Sequence, residues 1–292
     1  MQIEIRPASL SGDEVFSIVI PTWNNLPFLR LCVASIRKNS SLRHQIILHI
    51  NDGCDGTLEW ARSEGLEFTR TERNVGVCVA MNSARMLVAT DYLLYMNDDM
   101  YVCPGWDVAL RDEVETLGTK LFYISAQTIE PYPTNSRPVI CGKDFGTTVE
   151  TFEEDRLLRE FDSFPRVDWH GSTCPPCVVH RDMFDLVGGY SVEFSPGMYS
   201  DPDFSMKLWK AGVRYFKGVS RARVYHFVSK SVGRIVKNDG RRQFLRKWGM
   251  APSTFYRFYI RKGEPFSGTL AEPAMTPALR LRLLRDRMLA LF

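Results

Sequence analysis

Over residues 16–96 short apolar runs alternate with helix-length amphipathic ones, and no other feature of this chain so narrows what it can fold into. Phe16 to Pro21 (F-S-I-V-I-P) is a β-rich run closed by proline. After Asn24-Asn25, a helix with Pro27 in its first turn sets Phe28, Leu31, Cys32, Ser35 and Ile36 on one stripe. Gln45–Asn51 reads as a second buried strand, followed by the turn Asp52–Gly56 and a short helix stopped at Gly65. Leu66–Thr71 is a third strand. A helix from about Gly76 to Ala89 then leads to a fourth strand, Tyr92–Met96, which ends in Asn97-Asp98-Asp99. This spacing demands right-handed crossovers, so the predicted fold is α/β, with a mostly parallel central sheet and helices on both faces. Such sheets bind ligands at the carboxyl ends of their strands. Here polar clusters follow strand after strand: Thr22-Trp23-Asn24, Asp52-Gly53, Arg73-Asn74 and Asn97-Asp98-Asp99.

The stretch Pro131–Gly146, rich in Pro, Thr, Asn and Gly, reads as an irregular loop between two halves. The later half offers a strand near Cys177–His180, a helix from about Asp201 to Ala211, and strands around Val213–Lys217 and Ala222–Phe227. From 236 to 292 the pattern is helical and basic, an extension to a body spanning 1–235. Residues 238–292 hold 11 Lys and Arg against 4 Asp and Glu, so residues 1–237 carry a net −4 although the whole chain is +3. A duplex-nucleic-acid binder concentrates its base on the folded body, so nucleic acid is not the expected partner. Seven scattered cysteines, an odd number, suit a reducing compartment better than a disulfide framework, which points to the cytoplasm. No stretch reads as a leader, and no uncharged apolar run approaches the ~18 residues of a membrane span.

Several residues carry candidate chemistry. A carboxylate of Asn97-Asp98-Asp99, at a strand end, suits one or two oxygens on a divalent cation, although a polar turn closing a strand would look the same. Asp201-Pro202-Asp203 opens a helix, either as dipole-complementing acids or as a general base with a companion acid. His226, in a strand-like run, is a metal ligand, a diphosphate contact or a structural histidine. His170-x3-Cys174-x2-Cys177-x2-His180 offers four soft ligands, but zinc sites usually separate two ligand pairs by a dozen or more residues, so it reads as a loop entering a buried strand. G-x-G-x-x-G after the first strand, G-x-x-x-x-G-K-[ST], H-E-x-x-H and G-x-S-x-G are all missing, which removes the main supports for dinucleotide enzymes, P-loop ATPases, zincins and α/β-hydrolases.

Taken in order, these pieces resemble family 2 of the nucleotide-sugar glycosyltransferases over about residues 15–232. Ser17–Asn24 resembles the family's opening strand and nucleoside loop, Ile50–Gly53 the second strand whose acid binds the base, and Arg73-Asn74-Val75-Gly76 with Ala80 and Asn82 the segment beside ribose and diphosphate. Tyr95–Asp99 is similar to the D-x-D motif, with Asn97 in place of the first acid as in the rhamnosyltransferase-like branch. Val187–Tyr190 resembles G-G-[FY], Ser200–Phe204 resembles E-D-x-D-[FL] with Ser200 for Glu, and His226 with Ser231 resembles the late H-x4-S motif.

The resemblance implies a nucleotide-diphospho-sugar transferase (GT-A type) fold, with a nucleotide half at about 15–126 and an acceptor half at about 127–235. It implies inverting transfer from a UDP- or dTDP-linked sugar to a saccharide or lipid-linked saccharide, as in bacterial surface polysaccharide synthesis. Asp201 is the implied base, with Asp203 the second candidate. Pro21, Thr22, Asn24, Asp52, Arg73, Asn74, Gly76, Asn97 and Asp98 would hold the nucleotide, Asp99 and His226 an Mg2+ or Mn2+ ion, and Trp106, Trp169 and His170 the acceptor. A noncatalytic sugar-nucleotide or polysaccharide-binding protein of the same fold is the rival reading, because Asn97 and Ser200 replace acids. Read as a helix, Leu279–Phe292 lines up Leu281, Leu284, Met288, Leu291 and Phe292, with Arg280, Arg282, Arg285 and Arg287 to the sides and back. That stripe suits the inner face of the cytoplasmic membrane, or packing on the body or a second copy.

Overall fold

The computed structural model describes residues 3–7, 11–229, 233 and 236–290. Its first part is the expected alternation: β1 (Glu4–Arg6), β2 (Phe16–Trp23), α1 (Leu26–Asn39), β3 (His44–Asn51), α2 (Thr57–Ser63), β4 (Glu67–Thr71), α3 (Gly76–Ala84) and β5 (Tyr92–Tyr95). α1 forms where Pro27 pre-sets its first turn and Leu29, Cys32, Val33 and Ile36 fall on one buried face, with Arg37 and Lys38 complementing the dipole of its last turn. The expected helix to Ala89 ends earlier, at Ala84, with a tight turn over Arg85–Leu87.

The later part is β6 (Met100–Val102), α4 (Trp106–Leu117), β7 (Phe122–Glu130), β8 (Ile140–Cys141), α5 (Glu154–Glu160), β9 (Trp169–His170), β10 (Cys177–His180), α6 (Arg181–Leu186), α7 (Ser200–Lys210) and β11 (Tyr215–His226). The two strands expected over 213–227 are one strand, β11, whose pairing with β7 breaks register between Val219 and Arg223. The described C-terminal elements are α8 (Gly240–Trp248), the single turn α9 (Pro252–Thr254) running into a π-helical turn at Phe255–Tyr259, and α10 (Pro277–Ala290).

All strands join one sheet in the order β1-β4-β3-β2-β5-β10-β7-β11-β6, with β8 on β7 and β9 on β11. β4, β3, β2 and β5 are parallel, as are β7, β11 and β8, whereas β1, β10, β6 and β9 run against their neighbours. The sheet is therefore mostly parallel. Alternate residues of β2 serve opposite cores: Phe16, Ile18 and Ile20 pack with α1, α2 and α4, while Val19 packs with α3 and α7. Phe244, Met250, Phe255, Ile260 and Leu270 of the basic C-terminal extension enter that second core. Among the described residues no helix is long and apolar enough to cross a membrane.

Candidate active site

At the carboxyl ends of β2, β3 and β5 a cleft of about 420 Å³ opens. Pro21 and Thr22 end β2, Asn51 ends β3, and Asn97, Asp98 and Asp99 follow β5; all line it. The facing wall is the loop Pro196–Met198 with Ser200 and Asp201 at the start of α7. Gly76, at φ +78°, makes that closure fit, because a Cβ there would lie 2.5 Å from Pro196 Cα. Val77 N–H donates to the Pro196 carbonyl at 2.9 Å.

The acids of the β5 end divide their work. Asp98 accepts from Thr22 Oγ1 at 2.7 Å and from Asn25 Nδ2 at 3.1 Å, so both its oxygens order the loop after β2. Asp99 Oδ2 accepts from the Ser229 N–H at 2.7 Å, and its Oδ1 lies 3.3 Å from His226 Nε2. The other ring nitrogen, Nδ1, sits 2.9 Å from Glu130 Oε1. Burial alone would lower the His226 pKa and raise that of Asp99. Their mutual attraction and hydrogen bonds win, so His226 is held above its ordinary value and Asp99 below its own.

Asp99, His226 and Glu130 all line the cleft, where a divalent cation with few protein ligands would complete its shell with phosphate and water. Both His226 nitrogens are engaged by carboxylates, and among the described residues no group of three or more His, Cys, Asp and Glu side chains could hold a metal ion.

Asp201 lines the same cleft. Burial pushes its carboxyl up to about 7, against the lowering influence of the Lys262 charge. Its placement follows from the G-G-Tyr turn: Gly188 and Gly189 are left-handed, and Asn82 both donates to the Tyr190 carbonyl and accepts from its N–H at 2.8 Å. A Cβ on Gly189 would meet Asn82 Oδ1 at 2.3 Å.

Of the residues expected from sequence, Pro21, Thr22, Asn74, Gly76, Asn97, Asp98, Asp99, His226 and Asp201 line this one cleft. Asn24 and Asp52 interlock beside it through a 3.1 Å hydrogen bond, both in left-handed backbone, and the exposed Arg73 is outside its lining. Asp203 does not reach it. Fully buried, it accepts from Trp248 Nε1 at 2.8 Å and pairs with Lys247 at 2.9 Å, tying α7 to α8. The three residues expected at the acceptor, Trp106, Trp169 and His170, are not part of this cleft's lining. Trp106, the first residue of α4, is buried in the core with its indole N–H on Ser40, the Trp169 ring lies against Gly218, and His170 bonds Ser267. Ser231 lies outside the described residues.

Sequence reasoning missed Asn51, Thr128, Glu130 and Ser229 in the cleft lining. Glu130 had a findable signal, since it ends the nine-residue buried strand β7 just before a proline-rich loop.

The fold recurs among solved structures. S. aureus TarS 1–349 superposes with a TM-score of 0.59 at 12% identity, over 94% of this chain and 70% of that one. TarS 1–349 in complex with UDP-GlcNAc gives 0.56 at 13% identity, over 80% and 65%. GalNAc-T7 with UDP, GalNAc and Mn2+ gives 0.56 at 15% identity, over 84% and 50%. The architecture is that of the GT-A type glycosyltransferases. The sequence profile of glycosyl transferase family 2 matches residues 17–182, and the chain belongs to that family. A curated relative, the uncharacterized protein y4gI of Sinorhizobium fredii (strain NBRC 101917 / NGR234), is 25% identical over 255 residues, 82% of this chain. The chain spans only 27% of that protein's length.

Proposed function

We propose that this chain is an inverting glycosyltransferase that moves a sugar from a UDP- or dTDP-linked donor to a hydroxyl of a saccharide or lipid-linked saccharide, in the synthesis of a bacterial surface polysaccharide or glycan. One observation carries the reading: Asp201 lines the same cleft at the strand ends as the hydrogen-bonded Asp99, His226 and Glu130 cluster. The UDP-GlcNAc complex of TarS and the UDP, GalNAc and Mn2+ complex of GalNAc-T7 support the donor and cation classes.

In this reading Pro21, Thr22, Asn51, Asn74 and Gly76 hold the nucleotide against the strand ends, with Asp98 keeping the β2 loop in shape. The acceptor hydroxyl sits at Asp201. As its oxygen bonds the anomeric carbon, the bond from that carbon to the diphosphate breaks with its electron pair, and the proton passes to the Asp201 carboxylate. A carboxyl near 7 is well placed for that transfer at neutral pH. Asp99, with His226 beside it, would hold a divalent cation, which would supply positive charge for the departing diphosphate. Positioning both substrates in line accounts for much of the remaining rate.

The C-terminal helix α10 adds a location. It is fastened to the body through the buried Leu279 and through Asp286, which accepts from the Ala251 N–H at 2.9 Å and from Thr254 Oγ1 at 2.5 Å. That contact uses the face opposite the apolar stripe, so Leu281, Leu284 and Met288 stay 70%, 57% and 51% exposed. Among the described residues Arg280, Arg285 and Arg287 beside them have no carboxylate within salt-bridge distance, so the charge complements an anionic lipid face better than the protein's own surface. In this reading the enzyme works on the cytoplasmic side, peripherally at the inner leaflet. Leu291 and Phe292, the end of the expected stripe, lie outside the described residues.

A thermal-shift panel of UDP- and dTDP-sugars with and without Mn2+ tests the donor reading. One nucleotide sugar at about 100 times its Kd adds roughly 2.7 kcal/mol and raises Tm by several degrees. A flat panel at millimolar donor overturns it.

A further inference from the structure

The first helix of the basic C-terminal extension docks along the segment that carries Asp201. Lys247 Nζ donates to Ser191 Oγ at 2.8 Å and pairs with Glu193 at 2.7 Å, Gln243 Nε2 donates to the Glu193 carbonyl at 2.9 Å, and Trp248 Nε1 reaches Asp203. Between these points lies Met198, which lines the cleft. Its N–H donates to Asn238 Oδ1 at 3.1 Å, and its carbonyl accepts from Asn238 Nδ2 at 3.3 Å. The same Nδ2 donates to Gln243 Oε1 at 2.5 Å, which fixes the orientation of the amide. Gly240, the first residue of α8, packs on the same peptide, where a Cβ would lie 1.9 Å from the Met198 oxygen.

The loop needs such a partner. Met198 is followed by Tyr199 at φ +66°, a left-handed conformation that a bulky residue keeps only where its surroundings over-determine it. Directly after Tyr199 α7 begins, with Asp201 as its second residue. The other end of the loop is held from α3, through the Val77 N–H on the Pro196 carbonyl and the close approach of Gly76. Pro196 is thus fixed by α3 and Met198 by the extension, and the place where α7 starts depends on both. A primary amide suits the second post because it matches the donor and the acceptor of one peptide group at once, whereas a carboxylate could not donate to the Met198 carbonyl.

We propose that Asn238 is a positioning residue for transfer, fixing through both backbone groups of Met198 the turn that sets Asp201 in the cleft. This inference rests on Asp201 being the base. Asn238 acts through the loop, so its loss should appear in turnover and not in nucleotide binding, for which Thr22, Asn51 and Asn74 lie on other elements.

The test compares the full-length protein with its Asn238→Ala, Gly240→Ala and Asp203→Asn variants. Three quantities are read: kcat by nucleoside diphosphate release from the donor that thermal shift identifies, binding of that nucleoside diphosphate by calorimetry, and Tm. Asn238→Ala should lower kcat about tenfold, inside the roughly 100-fold that a misplacement of about 1 Å can cost, while nucleotide Kd stays within a few-fold. Gly240→Ala crowds the same peptide from α8 and should do likewise, so the loop is still probed if Asn238→Ala folds poorly. Asp203→Asn loosens α8 from α7 outside the cleft, and should lower Tm with kcat kept within a few-fold. A kcat within about twofold of wild type in both Asn238→Ala and Gly240→Ala overturns the inference. A kcat that falls in step with Tm across all three variants also overturns it, because the contact is then structural only. The reading beneath it fails separately: if Asp201→Asn keeps full activity, Asp201 is not the base, whatever Asn238 does.

Discussion

Replacing Asp201 with Asn keeps its size and removes both its charge and its capacity to take a proton. Two consequences follow, and they have opposite signs. With no proton acceptor, kcat should fall at least ~100-fold. Stability at neutral pH should rise, because the native state holds this carboxyl near 7, whereas an unfolded Asp titrates near ~3.9.

Between those values the native state binds more protons than the unfolded one, so ionising Asp201 costs stability, increasingly so as pH rises from about 4 to about 7. Three pKa units would correspond to about 4 kcal/mol as an upper limit, and solvent at the cleft wall reduces it to about 1–2 kcal/mol. At roughly 2–4 °C per kcal/mol the variant should melt a few degrees above wild type at pH 8. The gap should shrink toward zero as the buffer goes from pH 7 to pH 4. Scanning calorimetry at four pH values beside a nucleoside diphosphate release assay reads both effects. A variant within tenfold of wild-type kcat refutes the base, and one less stable than wild type at pH 8 refutes the burial argument.

Asp203→Asn should behave in reverse: it loosens the clasp to Trp248 and Lys247, lowering Tm through the loss of about 1–3 kcal/mol, while kcat stays within a few-fold. Asp99→Ala should cut turnover by about 100-fold or more, and wild-type activity should be lost in EDTA and restored by Mn2+; full activity of the variant in EDTA would remove the cation from the account. Deleting residues 278–290 onward should abolish salt-sensitive sedimentation with anionic vesicles, to which each Arg near the surface contributes about 1 kcal/mol. Unchanged vesicle binding, or conversion of a dimer to a monomer with no vesicle effect, assigns the exposed stripe to protein contact instead.

How much of this was legible in the sequence depends on periodicity. β2, β3, β4 and β5 announce themselves as isolated apolar runs with polar ends, and most of the donor side of the cleft follows from those ends. Over Met100–Glu130 the junctions are marked, by Pro104-Gly105 before α4 and Gly118 after it, but nothing local shows that Trp106 at the start of α4 is buried, so it reads as an available indole when it is a core anchor. Asp201 and Asp203 look like a working pair on paper. In a helix two positions differ by about 200°, so one faces the cleft and the other faces α8. Glu130 and the Pro196 loop join the site only through long-range packing that no local pattern encodes.

The central claim is inverting transfer from a nucleotide sugar, and proton NMR of a single reaction addresses it most directly. With the donor identified by thermal shift and a saccharide acceptor, the account predicts acceptor-dependent release of nucleoside diphosphate and a first-formed glycoside whose anomeric coupling is opposite to that of the donor. Retained configuration, release of pyrophosphate, or donor bound with no release at all would contradict it.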